Sequence, residues 1–313
     1  MKIFFKKIVW FFLLTLFLSS IGVFTVYRVI DQGNYFKIDK KYKNVFLGHS
    51  HTECAFTDTI IKNTINLSNG GECYFYTYLK LKKILQNNDH LERVFISFSN
   101  NQIGIGNDTY DIWNDKYINK WFTKYGAYME QKDLAVLAKN NPLCFLKAQS
   151  YTIKEYLTFL LKSDKDIITS QSWGRYNYLK KNKIDSILKT IKEEKYPTSF
   201  IYSNISIDYL LKMIRLCKDK GVNIYLVRSP VHEKWQDFKN EYFFRKILKE
   251  QFSTVNFLDF KNFPLDNSCF ADEHHINFKG STKFSIFFNS LLENGLLMKK
   301  SKQEFINMEM RKL

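Results

Sequence analysis

Ser50, Asp272 and His275 are residue types that carry out nucleophilic acyl chemistry, although the serine lies far from the other two in the sequence. A serine hydroxyl is a poor nucleophile near neutral pH, because it needs a base to accept its proton and an acid to orient that base. The spacing of Asp272 and His275 lets one short loop present both the base and the carboxylate that fixes its tautomer. We therefore predict that Ser50 is a nucleophile, His275 its base and Asp272 the group that orients the base.

Attack by a serine on an acyl carbonyl creates a negatively charged oxygen, which must be stabilised by hydrogen-bond donors aimed at it. The candidate donors are the backbone N–H of Ser50, a backbone N–H at Gly70 or Gly71, and a side-chain amide at Asn100 or Asn101. The sequence leaves open which glycine and which asparagine serves.

The elements that must position these residues are short apolar runs, several of which end in polar residues or glycine. Predicted strands cover residues 44–47, 64–67, 93–98, 222–229 and 255–259, and predicted helices cover residues 72–86, 205–220, 239–250 and 278–293. Strands that alternate with helices indicate a parallel sheet covered on both faces. Such sheets bind ligands at the carboxyl ends of their strands, which is where the candidate residues would meet.

Residues 108–200 interrupt this alternation and are rich in Trp, Tyr and Lys. Helical periods within them, as in YTIKEYLTFLLK, predict a helical insertion or cap. We interpret residues 31–313 as one α/β domain that carries this insertion.

Residues 1–30 are interpreted as a short cytoplasmic segment and a transmembrane anchor. The stretch Ile8–Tyr27 has 20 residues without a charge, enough for a helix to span a bilayer. Lysines precede it, which by the positive-inside rule predicts an extracytoplasmic domain, periplasmic or at the cell surface. A cleaved signal peptide is the alternative, since Ser19, Ser20 and Gly22 are small.

The formal net charge is +16, but the lysines are spread along the chain and form no nucleic-acid motif. Attraction to anionic lipid or an anionic surface polymer, or simply a solvated lysine-rich surface, is consistent with this charge. The five cysteines include no CxxC pair and suggest no zinc site, so we predict mostly buried free thiols.

Four blocks in order resemble the SGNH (GDSL-like) hydrolase superfamily: residues 47–50 (LGHS), 69–71 (NGG), 99–101 (SNN) and 272–277 (DEHHIN), with Gly280 after the last. The resemblance implies a doubly wound, flavodoxin-like parallel sheet and assigns Ser50, His275 and Asp272 the roles given above. Two features of this sequence differ from the superfamily's pattern. His49 replaces the usual acidic residue before the serine, and the asparagine block lacks its glycine and aspartate.

The function predicted from these features is a serine-dependent ester hydrolase or O-acyltransferase, acting on a cell-surface glycan or wall polymer with a small acyl group such as acetyl. No cofactor and no nucleic-acid partner is expected, and a membrane-embedded acyl donor protein is a further partner to consider. Two alternatives remain. A metal-dependent hydrolase would use the ligand types His49, His51, His274 and His275. The other is a non-catalytic scaffold that binds glycans.

Overall fold

The computed structural model describes residues 2–32, 36–104, 112–162, 173–180, 184–191, 199–235 and 239–313. The chain is divided into two compact units. One combines Met1–Lys37 with Asp111–Ser172, and the other combines Ile38–Tyr110 with Trp173–Leu313.

A parallel five-stranded sheet forms the centre of the second unit. Its strands are β1 (Asn44–Leu47), β2 (Thr64–Asn66), β3 (Arg93–Ser97), β4 (Asn223–Arg228) and β5 (Asn256–Asp259). Their order is β2-β1-β3-β4-β5, which is the flavodoxin-like order of a doubly wound sheet. The predicted α/β fold class and the position of each predicted strand are confirmed.

The helices lie before, between and after these strands. They are α1 (Lys2–Gln32), α2 (Ser50–Ala55), α3 (Tyr74–Asn87), α4 (Asp115–Tyr125), α5 (Gln131–Asn140), α6 (Pro142–Lys162), α7 (Ile184–Thr190), α8 (Asn204–Asp219), α9 (Glu241–Gln251), α10 (Phe278–Glu293) and α11 (Lys302–Met310). Short 3-10 helices cover Asn100–Gln102, Gly126–Tyr128, Asn267–Cys269 and Leu296–Met298.

An aromatic layer joins the sheet to α10. Phe46 of β1 lies opposite Phe95 of β3, and their rings stack with centroids 4.6 Å apart. Phe288 of α10 meets both rings edge-on. Because these side chains are almost fully buried, they hold α10, and with it the loop before α10, against the strands.

Gly48 follows β1 at a point where no side chain fits. Its φ is +147°, and a Cβ placed there would lie 2.3 Å from Cβ of Ser97 in β3. Only glycine tolerates both this backbone conformation and this approach. Gly48 therefore lets the chain turn sharply into α2, whose first residue is Ser50.

The first unit contains α1 and α4–α6. Phe122 of α4 packs edge-on against Phe145 of α6, and α1 also contacts α6. In α1, Ile3–Gly22 is long and apolar enough to cross a membrane, a property that a signal sequence shares. Its orientation stays a prediction.

Part of the predicted insertion at 108–200 falls outside the described residues. Within the rest, α4–α6 are helical, as the periodicity predicts. Residues 173–180 have no regular secondary structure and belong to the unit that contains the sheet. The predicted boundaries at 1–30 and 31–313 remain predictions.

Candidate active site

Ser50, His275 and Asp272 form one hydrogen-bonded chain. The Oγ of Ser50 lies 2.7 Å from Nε2 of His275. Nδ1 of His275 lies 2.9 Å and 3.0 Å from the two carboxylate oxygens of Asp272. Because an ionised carboxylate only accepts hydrogen bonds, Nδ1 carries the proton and Nε2 is left to accept from the serine hydroxyl. This is the polarity that a general base for Ser50 requires.

Asp272 is held by its own loop. Its Oδ1 accepts hydrogen bonds from the backbone N–H groups of His274 and His275, each at 2.8 Å. Partial burial opposes ionisation of this carboxyl, but the hydrogen bonds and charges of His275 and His274 outweigh that effect and lower the pKa of Asp272. The carboxylate therefore stays ionised and fixes the His275 tautomer.

Asn277 ties the loop to α10. Its Nδ2 donates to the carbonyl oxygens of Ser268 and Phe270, at 2.8 Å and 2.9 Å, and its Oδ1 caps the start of the helix. Gly280 follows, where a Cβ would lie 2.4 Å from the carbonyl oxygen of Cys269. The last block of the sequence motif is thus the local structure that presents His275.

Of the two candidate glycines, Gly70 lies beside Ser50. A Cβ at Gly70 would lie 3.8 Å from Cβ of Ser50 and 3.0 Å from a carboxylate oxygen of Glu53. Gly71 has a left-handed φ of +77° and shapes the turn that follows. Gly70 is therefore the candidate glycine that lies beside the serine.

Both ends of the Asn100 side-chain amide make hydrogen bonds with residues outside the proposed triad. Its Nδ2 donates to Asn240 and Glu241, each at 2.9 Å, and its Oδ1 accepts from Arg228 at 2.7 Å. Both ends of this amide serve a buried polar network at the ends of β4 and β5, and Asn101 stays a candidate donor. The sequence could not distinguish these neighbours, because the partners of Asn100 are distant from it in the sequence.

His49 and His51 are buried beside the serine. Nδ1 of His49 accepts the backbone N–H of His51 at 3.3 Å and so caps α2. Burial, and then the charge of His275, lowers the pKa of His49 to about 3, and burial lowers the pKa of His51 well below its ordinary value. Both rings are neutral at physiological pH.

His51 also faces the candidate triad. Its ring meets His275 edge-on with centroids 5.4 Å apart, and Trp235 at 5.0 Å. Its Nδ1 is buried and has no hydrogen-bond partner within the described part of the chain. Trp235 was not among the predicted residues, since nothing in its local sequence relates it to Ser50.

The metal alternative requires several ligand side chains around one point. Among the described residues, no group of three or more His, Cys, Asp or Glu is placed to hold a metal ion. Both nitrogens of His49 and both nitrogens of His275 make hydrogen bonds within the protein. His274 contacts Glu273 through Nε2 at 3.0 Å. The residue set therefore favours a role for His275 as a base.

Residues 173–180 lie along the same edge of the sheet, which sequence reasoning did not foresee. Backbone N–H groups of Arg175 and Asn177 donate to the carbonyl oxygens of Ser68 and Glu53. Gly174, with φ +130°, fits where a Cβ would lie 2.0 Å from the carbonyl oxygen of Leu67. This segment therefore fixes the backbone around α2 and the loop after β2.

A buried ion pair anchors the start of this segment. Nζ of Lys80 lies 2.8 Å from Oε1 of Glu72, and both side chains are fully buried. The same ammonium donates to the carbonyl oxygen of Trp173 at 2.9 Å, and Asn69 donates to that oxygen as well. Asn69, part of the glycine block, thus has a structural task that its sequence position did not indicate.

We expect the free energy of unfolding to fall when the pH drops below about 6, because His49 and His51 have depressed pKa values in the folded state. Below an unfolded pKa of about 6.5 the unfolded chain binds more protons, so stability present above that pH is lost as the pH falls. Each histidine contributes a slope of about 1.4 kcal/mol per pH unit. Urea unfolding in detergent between pH 7 and pH 5 measures this slope. His51→Asn should reduce it, and an equal slope in the variant would contradict the assignment.

Comparison with known proteins gives limited matches. A protein-family model without a functional description matches residues 146–297, just under half of the chain. None of the curated proteins matches this chain. Eight chains of solved structures match it.

Two of these solved structures come from Bacteroides. One, from Bacteroides fragilis, is of a protein proposed to be an acylhydrolase. It shares 11% identity, and the match covers 82% of this chain and 89% of that one with a TM-score of 0.36. The other, a GDSL-like lipase from Bacteroides thetaiotaomicron, shares 10% identity, with 86% and 94% covered and a TM-score of 0.36. At such TM-scores the likeness supports no inference about activity.

Proposed function

We propose that this chain is a serine-dependent ester hydrolase or O-acyltransferase of the SGNH (GDSL-like) type. The observation that carries the proposal is the continuous chain from Ser50 Oγ through His275 to the Asp272 carboxylate, with separations of 2.7 Å and 2.9 Å. The order of the four sequence blocks and the flavodoxin-like strand order agree with it.

In the proposed first step, Ser50 Oγ attacks the carbonyl carbon of an acyl ester while its proton passes to Nε2 of His275. The resulting imidazolium is stabilised by the ionised Asp272. The carbonyl electrons move onto oxygen, which the backbone N–H groups of Ser50 and Gly70 and the amide of Asn101 stabilise. When the tetrahedral species collapses, the ester C–O bond breaks and His275 returns the proton to the leaving alkoxide.

The second step reverses these roles. Water or a sugar hydroxyl attacks the acyl-serine, His275 takes its proton, and Ser50 leaves as the alcohol once that proton is returned. Hydrolysis and transfer share this intermediate. The acceptor alone distinguishes them.

For the substrate we propose a small acyl ester, such as acetyl, on a cell-surface glycan or wall polymer. The support is the apolar helix α1, which would hold the site near a membrane, together with the extracytoplasmic orientation predicted from the lysines before it. Outside the cytoplasm, glycans are abundant hydroxyl-bearing polymers.

Labelling of the full chain with a serine-reactive fluorophosphonate tests the proposal. We expect one adduct on Ser50, located by peptide mass spectrometry, and no adduct in His275→Ala, because the base that activates the serine is gone. Activity that survives chelator treatment would agree with a serine enzyme, whereas its loss would support the metal alternative. An unlabelled wild type without activity on any acylated sugar would instead favour the scaffold.

A further inference from the structure

His49 stands where the SGNH resemblance implies an acidic residue, and its hydrogen bonds have a fixed direction. The side chain is completely buried. Its Nδ1 faces the backbone N–H of His51, which can only donate. Nδ1 is therefore the acceptor nitrogen, and in the neutral ring the proton must lie on Nε2.

The proton on Nε2 of His49 extends the series of hydrogen bonds to Ser99. Nε2 of His49 lies 3.1 Å from Oγ of Ser99, so the ring donates and the serine oxygen accepts. The His49 ring also makes a hydrogen bond with the side chain of Gln102. The Ser99 hydroxyl then has its own proton to donate. Its shorter contact is with Oδ1 of Asn101 at 2.8 Å, while Oε1 of Gln102 lies at 3.2 Å and also accepts the backbone N–H of Ser99.

The direction of this chain determines which way the Asn101 amide faces. The backbone N–H of His51 fixes the His49 tautomer, and the Ser99 oxygen accepts from His49 and from the backbone N–H of Gln102. With both acceptor positions of Ser99 used, Asn101 meets the Ser99 hydroxyl through its amide oxygen. Because the amide is planar, its NH₂ group then points away from Ser99. An aspartate at position 49 could only accept, and the Ser99 hydroxyl would have to donate to it instead of to Asn101.

We propose that His49 and Ser99 are positioning residues that orient the Asn101 amide so that its NH₂ group faces the oxyanion. This inference rests on the proposed function, because it assigns Asn101 a task in that reaction. It also accounts for the histidine before the nucleophile: one ring caps α2, which begins at Ser50, and sets the direction of the donor chain.

A double-mutant cycle tests the relay. Removal of one oxyanion donor in Asn101→Ala should lower kcat by about 10²-fold or more with little change in KM. We expect Ser99→Ala to lower kcat by about tenfold, again with KM unchanged, since the amide loses its orientation but remains present. In the Asn101→Ala background, Ser99→Ala should cost nothing further. Equal effects of Ser99→Ala in both backgrounds, or none in the wild-type background, would overturn the relay.

Position 49 supplies an independent pair of variants. Glutamine can accept from His51 and donate to Ser99, so His49→Gln should keep most of kcat. Methionine can do neither, so kcat of His49→Met should equal that of Ser99→Ala or be lower. Thermal unfolding of each variant separates a loss of stability from a loss of kcat. If Ser50→Ala retains full turnover, the proposed function fails. If Ser50→Ala is inactive but His49→Met is unimpaired, the relay alone fails.

Discussion

Ser50→Ala should lose turnover of a chromogenic acetyl ester by about 10⁴-fold or more. The Ser50 hydroxyl is the only proposed nucleophile, and the methyl group of alanine cannot replace it. Stability should change little, because His49 rather than Ser50 caps α2. Initial rates of the full chain in detergent, compared with the thermal midpoint of the same preparation, measure both effects.

Ser290→Ala is the matched control. Its hydroxyl bonds the carbonyl oxygen of Phe287 at 2.8 Å within α10, away from the residues proposed to react. Its rate should equal that of the wild type. A Ser50→Ala rate within tenfold of the wild-type rate would show that Ser50 is not the nucleophile.

Much of the sheet could be predicted from the sequence because its signals are local. Buried parallel strands are short apolar runs, and several here end in polar residues or glycine. The predicted helix at 278–293 coincides with α10 (Phe278–Glu293), whose cap, Asn277, lies within the last sequence block. The spacing of Asp272 and His275 is local too, and the structure brings both of them to Ser50.

The remaining features depend on contacts between distant residues. Asn100 and Asn101 are chemically identical neighbours, and the distant residues Arg228, Asn240 and Glu241 draw the first of them into a buried network. Residues 173–180 have no periodic pattern, because backbone hydrogen bonds to Ser68 and Glu53 hold them in place. No sequence period encodes such contacts, so neither the choice of asparagine nor this segment could be read from the sequence.

The network that holds Asn100 joins the ends of three strands. Arg228, at the end of β4, donates through Nε to Oδ1 of Asp259 at the end of β5, at 2.9 Å, and through Nη1 to Oε2 of Glu241 at 2.7 Å. Asn100, which follows β3, accepts from the same Nη1. Burial opposes ionisation of Glu241 and Asp259, but the hydrogen bonds and charge of Arg228, together with the charge of Arg245, outweigh it and lower both pKa values. Both carboxylates therefore remain charged in a largely buried place.

Arg228→Met should consequently destabilise the fold by about 3–5 kcal/mol, because methionine fills the space but leaves these carboxylates without their buried partner. Arg245→Met is the matched control: Arg245 bonds the same two carboxylates, but its side chain is 44% exposed. Because solvent screens such a pair, its loss should cost about 1 kcal/mol or less. Equilibrium urea unfolding in detergent compares the two. Equal losses of stability would mean that the buried position of Arg228 does not increase its contribution to stability.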